Sequence, residues 1–170
     1  MQPVRAISPR VWTPGEGTLR QAWDAAREKI EPIVYPLAFF TDDRGFSLMN
    51  LMQGVVEPSG QVNFSVQYPG VVKAWHAHRL QTDFWVCVQG HLKVGCYRES
   101  DHTAWAVVTG ERRPAIVIIP PPLWHGAATV GPTPASLMYY LTHAFNPQQP
   151  DENRRAWDSV VGFPWAPENK

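Results

Sequence analysis

The sequence predicts an all-β domain, a sandwich or closed barrel of short strands, and three observations predict it. From Ile33 onward the chain breaks into short apolar runs cut by turn residues, at near-regular spacing and with no intervening helices. Within one run, Val62, Phe64 and Val66 alternate with Gln61, Asn63, Ser65 and Gln67, the two-residue period of a half-buried strand. Seventeen prolines and eight tryptophans favour short strands, many turns and aromatic-lined surfaces over long helices.

Taken in order, residues 1–17 carry Pro3, Pro9, Pro14, Gly15 and Gly17 and read as an irregular arm. Thr18 and Gln21 form a capping box, hydroxyl and amide each satisfying a helix-end N–H, and Leu19, Ala22, Trp23, Ala26 and Ile30 follow at helical spacing until Pro32. The spacing predicts one amphipathic helix from about Thr18 to Ile30, packed on a sheet. Strands are expected at 33–40 and 46–52, either side of the turn Asp42-Asp43-Arg44-Gly45, then at 62–66, 71–78, 82–88, 92–98, 105–108, 115–119 and 135–142, with Gln89-Gly90 as a tight hairpin turn. The tail from Pro147 returns to polar residues; Pro150-Asp151-Glu152 reads as the start of a short helix with a solvated charged face, and Trp157 and Trp165 as anchors. The expected organisation is an arm and helix over 1–32, a β-barrel over 33–146 and a packed tail over 147–170.

At 170 residues the chain is long enough to bury a sizeable core as one domain. Lys plus Arg equals Asp plus Glu at 15 each, which leaves no electrostatic footprint for nucleic acid. Two cysteines, Cys87 and Cys96, are too few for a disulfide framework and read as buried thiols. No run approaches membrane-spanning length and the N-terminus has no apolar signal core, so a cytoplasmic protein with no membrane partner is expected.

The chemistry concentrates in Gly70–Gly90, GVVKAWHAHRLQTDFWVCVQG. On a strand, His76 and His78 aim to one face and Ala77 to the other. Two imidazoles side by side on one face need shared water, a metal or a substrate.

This stretch, Gly70, His76, His78, Asp83 and Gly90, resembles the first cupin motif, with Asp83 where glutamate is usual. Pro120-Pro121-Pro122-Leu123-Trp124-His125 resembles the second. Together they imply a cupin jelly-roll barrel, with the N-terminal helix and short C-terminal helical segment as additions. A narrower resemblance, to the dTDP-4-dehydrorhamnose 3,5-epimerase family, covers roughly Ile33 to Trp165. It is carried in order by Asp43-Arg44-Gly45-Phe46, Gln61-x-Asn63-x-Ser65, Lys73-Ala74-Trp75-His76, Leu123-Trp124-His125-Gly126, Tyr139-Tyr140-Leu141-Thr142, and Trp157-Asp158 with Trp165.

The resemblance implies a base that takes the proton beside a ketone and an acid that returns one on the opposite face, each worth roughly 10²–10⁴ in rate. His76 matches the base, Asp158 the carboxylate that orients it, His125 the residue that stabilises the enolate oxygen and Tyr139 the proton donor. Tyr139 and Tyr140 point to opposite faces, and the choice of Tyr139 rests on the resemblance. Arg44 and Lys73 are implied to hold the nucleotide diphosphate, Gln61 and Asn63 the sugar or its phosphate, and His78, in place of a glutamine, lies in the same substrate pocket. On this reading the substrate is a nucleotide-linked sugar, no cofactor is needed and the protein is a homodimer with crossing N-terminal strands.

The departures define an alternative. The family's enolate-stabilising lysine aligns with Asp83, and its phosphate-binding arginine with Lys73. The A-W-H-x-H and Q-T-D segments resemble a group of epimerase-related cupins, and His76-Ala77-His78-Arg79 resembles the sugar-nucleotide 3,4-ketoisomerases with paired histidines. His76, His78, Asp83 and His125 are also the four cupin ligand positions, a set suited to Fe, Mn, Ni or Zn with open sites for substrate. A metal-dependent cupin enzyme and a non-catalytic sugar-binding cupin therefore stand beside the epimerase.

Overall fold

The computed structural model describes residues 3–13 and 15–167; Pro14 of the expected arm and the ends of arm and tail lie outside them. In chain order the elements are β1 (Ala6–Ile7), β2 (Arg10–Val11), α1 (Leu19–Lys29), β3 (Ile33–Pro36), β4 (Phe39–Asp42), β5 (Gly45–Leu48), β6 (Gln61–Gln67), β7 (Val72–Ala77), β8 (Asp83–Gln89), β9 (His91–Arg98), β10 (Thr103–Gly110), β11 (Ala115–Ile119), β12 (Trp124–Thr129), β13 (Ala135–Leu141) and β14 (Asn153–Arg154). Two six-stranded sheets, β1-β10-β9-β12-β7-β14 and β2-β3-β11-β8-β13-β6, enclose the interior, and β4-β5 stands apart as a hairpin.

Three apolar layers follow from the alternation along the strands. The space between the sheets is filled by residues such as Trp85, Val94, Trp105, Val117 and Leu137. The outer face of the β8-containing sheet is covered by α1, whose Leu19, Ala22, Trp23 and Ala26 pack on Ile33, Phe84, Val86, Ile116 and Ile118. The outer face of the β7-containing sheet is covered by the tail, through Val160, Phe163 and Trp165 against Trp75 and Tyr97.

The capping box forms, with Thr18 accepting from the Gln21 N–H and Gln21 accepting from the Thr18 N–H at 2.8 Å. Ile30 closes the helix at φ 52°, in the left-handed region. Trp23 donates its indole N–H to Thr82 Oγ1 at 3.0 Å, tying helix to barrel just before Asp83.

Several sequence expectations are corrected. The expected strand over 33–40 is two, because β3 pairs with β11 while β4 pairs only with β5. Residues 49–52 are not strand; Asn50 turns the chain at φ 57°. Gln89-Gly90 is not a hairpin turn: β8 and β9 belong to different sheets, and Gly90 at φ 67° carries the chain across the corner. The expected C-terminal helical segment does not form among the described residues. Its start residue, Asp151, spends its carboxylate on the backbone of residues 79–81 and caps nothing of its own, and β14 pairs with β7 instead.

Strand β12, Trp124–Thr129, went unread because Gly126-Ala127-Ala128 has no strong β-former. Small residues are what its central place requires. A Cβ on Gly126 would stand 2.4 Å from Ala74 Cβ and 2.6 Å from the Lys73 carbonyl oxygen, so β12 and β7 approach this closely only at glycine. The register shifts there, His125 opposing His76 and Gly126 opposing Ala74. Gly126→Ala should therefore cost about 1–3 kcal/mol by overpacking, read by urea denaturation.

Candidate active site

The ladders bring distant residues into two facing rows. Directly opposed residues in an antiparallel pair share a face. On one sheet the inner row is His76, His125, Cys96 and Trp105. On the other, Gln61, Leu141, Asp83 and Ile119 form one row, and Asn63, Tyr139, Trp85 and Val117 the next. His78 stands one residue beyond the end of β7, so its ring direction is set by a contact and not by the strand pleat.

Between the rows, His76, His78, Asp83 and His125 each offer a ligand atom within 4.8 Å of the others. Asp83 is at the centre. Its Oδ2 lies 3.3 Å from His125 Nε2 and accepts from the Trp85 indole N–H at 3.0 Å. Its Oδ1 accepts from Gln81 Nε2 at 2.8 Å and lies 3.9 Å from His78 Nε2. Burial alone would raise the Asp83 carboxyl, but the hydrogen bond and charge of His125, then the charges of His78 and His76, hold it down at about 2.

The far sides of two imidazoles are pinned. His125 Nδ1 meets the Leu123 carbonyl oxygen at 2.9 Å, and His78 Nδ1 meets the Asp151 carbonyl oxygen. A carbonyl only accepts, so both Nδ1 atoms carry the proton and both Nε2 atoms turn toward Asp83. When both rings are neutral, two lone pairs and a carboxylate converge on one small volume. A proton, a metal cation or the O–H of a water or substrate satisfies such a centre, and three imidazole nitrogens with one carboxylate oxygen are a donor set that fits a divalent transition metal.

His76 differs. It is half-buried, and its ring makes no hydrogen bond among the described residues; it lies 4.1 Å from the His125 ring and stacks at 5.9 Å on Trp85, centroid to centroid. Burial first, and the charge of His125 second, push His76 well below its ordinary 6.5, against the opposing pull of Asp83.

The other expected residues divide. Tyr139 faces the interior beside Trp85, whereas Tyr140 is buried under the helix and accepts from the Glu57 N–H at 2.6 Å, so the two do point apart. Gln61 and Asn63 lie on the inner side of β6, with Gln61 Oε1 taken by the Phe145 N–H at 2.9 Å. Lys73 is exposed opposite Ala127. Arg44 sits exposed at the tip of the separate β4-β5 hairpin, paired to Asp42 at 2.5 Å. Asp158 is exposed and makes no hydrogen bond or ion pair, with His76 or any other group, among the described residues. The tail segment that runs beside His76 is β14, and it places Arg154 opposite that residue. Sequence reasoning missed Gln81, Trp85 and Asp151 as partners of the cluster. The i, i+2 step from Asp83 to Trp85 was the one available signal. Cys96 is sealed in the inner row, and burial raises its thiol out of the reactive range.

The profile of the polysaccharide biosynthesis C-terminal domain family matches residues 40–153. The chain belongs to this family. As a family member it is 39% identical over 133 residues to the spore coat polysaccharide biosynthesis protein SpsL of Bacillus subtilis (strain 168), covering 74% of this chain and 88% of that one. It is 39% identical over 101 residues to the probable low-salt glycan biosynthesis epimerase Agl13 of Haloferax volcanii, covering 56% and 65%. Its fold is similar to that of a dTDP sugar isomerase from Desulfovibrio desulfuricans G20, at TM-score 0.70 and 25% identity over 81% of this chain and 92% of that one. A dTDP-4-dehydrorhamnose 3,5-epimerase from Elizabethkingia anophelis NUHP1 shares the fold at TM-score 0.62 and 18% identity, covering 81% and 82%. The expected jelly-roll barrel and its likeness to sugar-nucleotide epimerases are thus met within this family.

The depressed His76 value has a consequence for stability. The folded state disfavours protonated His76, so its stabilising contribution is complete above the unfolded value of 6.5 and declines as pH falls below it. The thermal midpoint of metal-free protein should fall as pH is lowered below 6.5, and His76→Gln should flatten that slope. Asp83 acts in a separate, lower window, between its unfolded value of 3.8 and about 2.

Proposed function

We propose that the chain is an isomerase of polysaccharide biosynthesis that epimerises a carbon beside the ketone of a nucleotide-linked 4-keto-6-deoxy sugar, with His76 as the base. The observation that carries this reading is the state of His76: neutral by burial, half-accessible, and the one imidazole of the cluster with an unpinned ring. Relatives named as an epimerase and a sugar isomerase support the reaction class.

Inversion needs a base and an acid on opposite faces of one carbon. His76 stands on the inner face of one sheet and Tyr139 on the inner face of the other, so the two walls of the barrel supply them. His76 takes the α-proton, and Tyr139 returns one from across the interior. Gln61 and Asn63, next to Tyr139 on β6, bind the sugar or its phosphate, and Lys73 meets the diphosphate. Trp85 offers an apolar floor that keeps water from the enolate.

A second reading concerns the same cluster and rests on the convergence of the His78 and His125 Nε2 atoms on Asp83. We propose that His78, Asp83 and His125, with His76 as a fourth donor, hold a divalent Fe, Mn, Ni or Zn ion. Bound there, such an ion would polarise the ketone as a Lewis acid. Asp83, which on its own would oppose an enolate, then serves as the neutralising ligand.

Substitution separates the roles. His78→Ala and Asp83→Asn should each lose bound metal by elemental analysis. In His76→Gln, whatever its metal content, solvent deuterium exchange into a dTDP-linked 4-keto-6-deoxy sugar should fall roughly 10²–10⁴-fold. Exchange that persists at wild-type rate in His76→Gln would rule that residue out as the base.

We propose further that the protein is a homodimer. Val62, Phe64 and Val66 expose an apolar stripe on the edge strand β6, and Phe39, Phe40 and Phe46 expose another on the β4-β5 hairpin. The solution mass should be about twice that of the chain by light scattering, and Phe64→Asp should return it to the monomer value.

A further inference from the structure

We propose that Asp151 is the positioning residue of the cluster, the group that fixes the ring of His78 and the amide of Gln81 toward Asp83. The inference rests on His78 being a working member of the site, whichever of the two chemistries the site performs.

Asp151 addresses four consecutive residues at once. Its Oδ1 accepts from the Arg79 N–H at 3.0 Å, and its Oδ2 accepts from the Leu80 N–H at 2.8 Å and the Gln81 N–H at 3.4 Å. Its own carbonyl oxygen accepts the His78 Nδ1 proton. The segment 78–81 joins β7 to β8, lies outside both strands and has no ladder of its own. Without the Asp151 carboxylate its amides would turn to solvent, and residues 78–81 would no longer be held where the His78 ring meets the Asp151 main-chain carbonyl.

The clamp acts on Asp83 through two arms. Gln81, suspended from Asp151 by its backbone, donates its side-chain amide to Asp83 Oδ1 at 2.8 Å. His78, held by the carbonyl, presents Nε2 at 3.9 Å from the same oxygen. Both groups that address Oδ1 therefore depend on a residue of the tail, while the groups that address Oδ2, Trp85 and His125, are held by the barrel.

The tail is firmly seated where this requires it. Asn153 and Arg154 pair with Ala77 and His76, and Arg155 exchanges two backbone hydrogen bonds of 3.1 Å with Trp75. The Arg155 guanidinium stacks at 4.1 Å on Trp124 and donates to Glu99 at 3.0 Å. The Arg79–Asp151 ion pair at 3.7 Å is exposed on the arginine side and adds little.

The test reads the ring directly. In metal-free protein at neutral pH, long-range ¹H–¹⁵N correlation spectra should show His78 as the Nδ1–H tautomer. Asp151→Ala keeps the main-chain carbonyl and removes the carboxylate that holds residues 79–81 beside it; with that segment released, His78 should move toward the mixed tautomer population of a free imidazole while His125, pinned by Leu123, keeps its pattern. If Asp151→Ala does not fold, Asp151→Asn serves. It keeps one acceptor for Arg79 and loses those for Leu80 and Gln81, so hydrogen exchange should quicken at residues 80 and 81 and His78 should shift part-way. Arg79→Ala should leave His78 unchanged. An unaltered His78 in the Asp151 variants, or equal changes in His78 and His125, would overturn the proposal. Zn²⁺ affinity, measured in parallel, should fall roughly tenfold to a hundredfold in Asp151→Ala. Absence of Zn²⁺ binding by the wild-type protein would defeat the metal reading and leave the tautomer result to decide the role of Asp151.

Discussion

A carboxylate with 2% of its surface open to water lies between the two sheets, and the mouth of the barrel is built to meet it. A buried anion left unmet costs several kcal/mol, on the order of its desolvation penalty. Asp83 is met by an amide, an indole and an imidazole, with a second imidazole close behind. Each comes from a different piece of local structure. Trp85 is two residues along the same strand, Gln81 is in the preceding turn, His125 is the second residue of β12, and His78 follows the end of β7. The close contact of β12 and β7 at Gly126 is what brings His125 within reach.

That convergence explains why the chain invests so heavily in covering the outside of both sheets. Trp23 bonds Thr82 immediately before Asp83, and Thr142 supplies its hydroxyl to the Thr82 N–H at 2.9 Å. On the other sheet, Phe163 and Trp165 pack at 4.8 and 4.9 Å against Trp75, the residue before His76. Helix and tail thus brace the two strands that carry the cluster from behind, one each. Loss of either brace would loosen the centre without touching it.

Much of this was legible in the chain before the structure. The two-residue period of Gln61–Gln67 marked a strand with two unlike faces, but not which one is buried: the polar Gln61, Asn63 and Ser65 turn in, and the apolar Val62, Phe64 and Val66 turn out. The capping box placed the helix, and the paired histidines with Asp83 and His125 marked the cluster. What stayed hidden has physical causes. β12 is written in small residues chosen for close approach and not for β-propensity. Gly90 looks like a hairpin turn because the same positive φ serves a hairpin and a change of sheet. Asp151 and Asp158 could not be ranked from sequence, because a carboxylate's worth depends on which distant amides its loop reaches. Asp158, favoured by resemblance, is exposed, while Asp151, read as a helix face, holds the loop beside His78.

The identity of residue 83 then decides what kind of electrostatics the site can use. By the resemblance read from the sequence, Asp83 stands where the epimerase family has a lysine, a fixed positive charge. Here the same place carries a negative charge, and its counter-charge has to come from the neighbouring imidazoles or from an ion they bind. The imidazoles cannot all supply it: His125 and His78 both push His76 toward the neutral form, as burial does. Fixed Nδ1–H contacts to Leu123 and Asp151 leave the Nε2 atoms of His125 and His78 as the places where positive charge can be held, both of them facing the carboxylate. Replacing lysine by Asp83 therefore exchanges a permanent cation for a removable one, a proton or a metal ion. It also leaves His76, whose ring alone among the three makes no hydrogen bond among the described residues, held toward the uncharged form by burial.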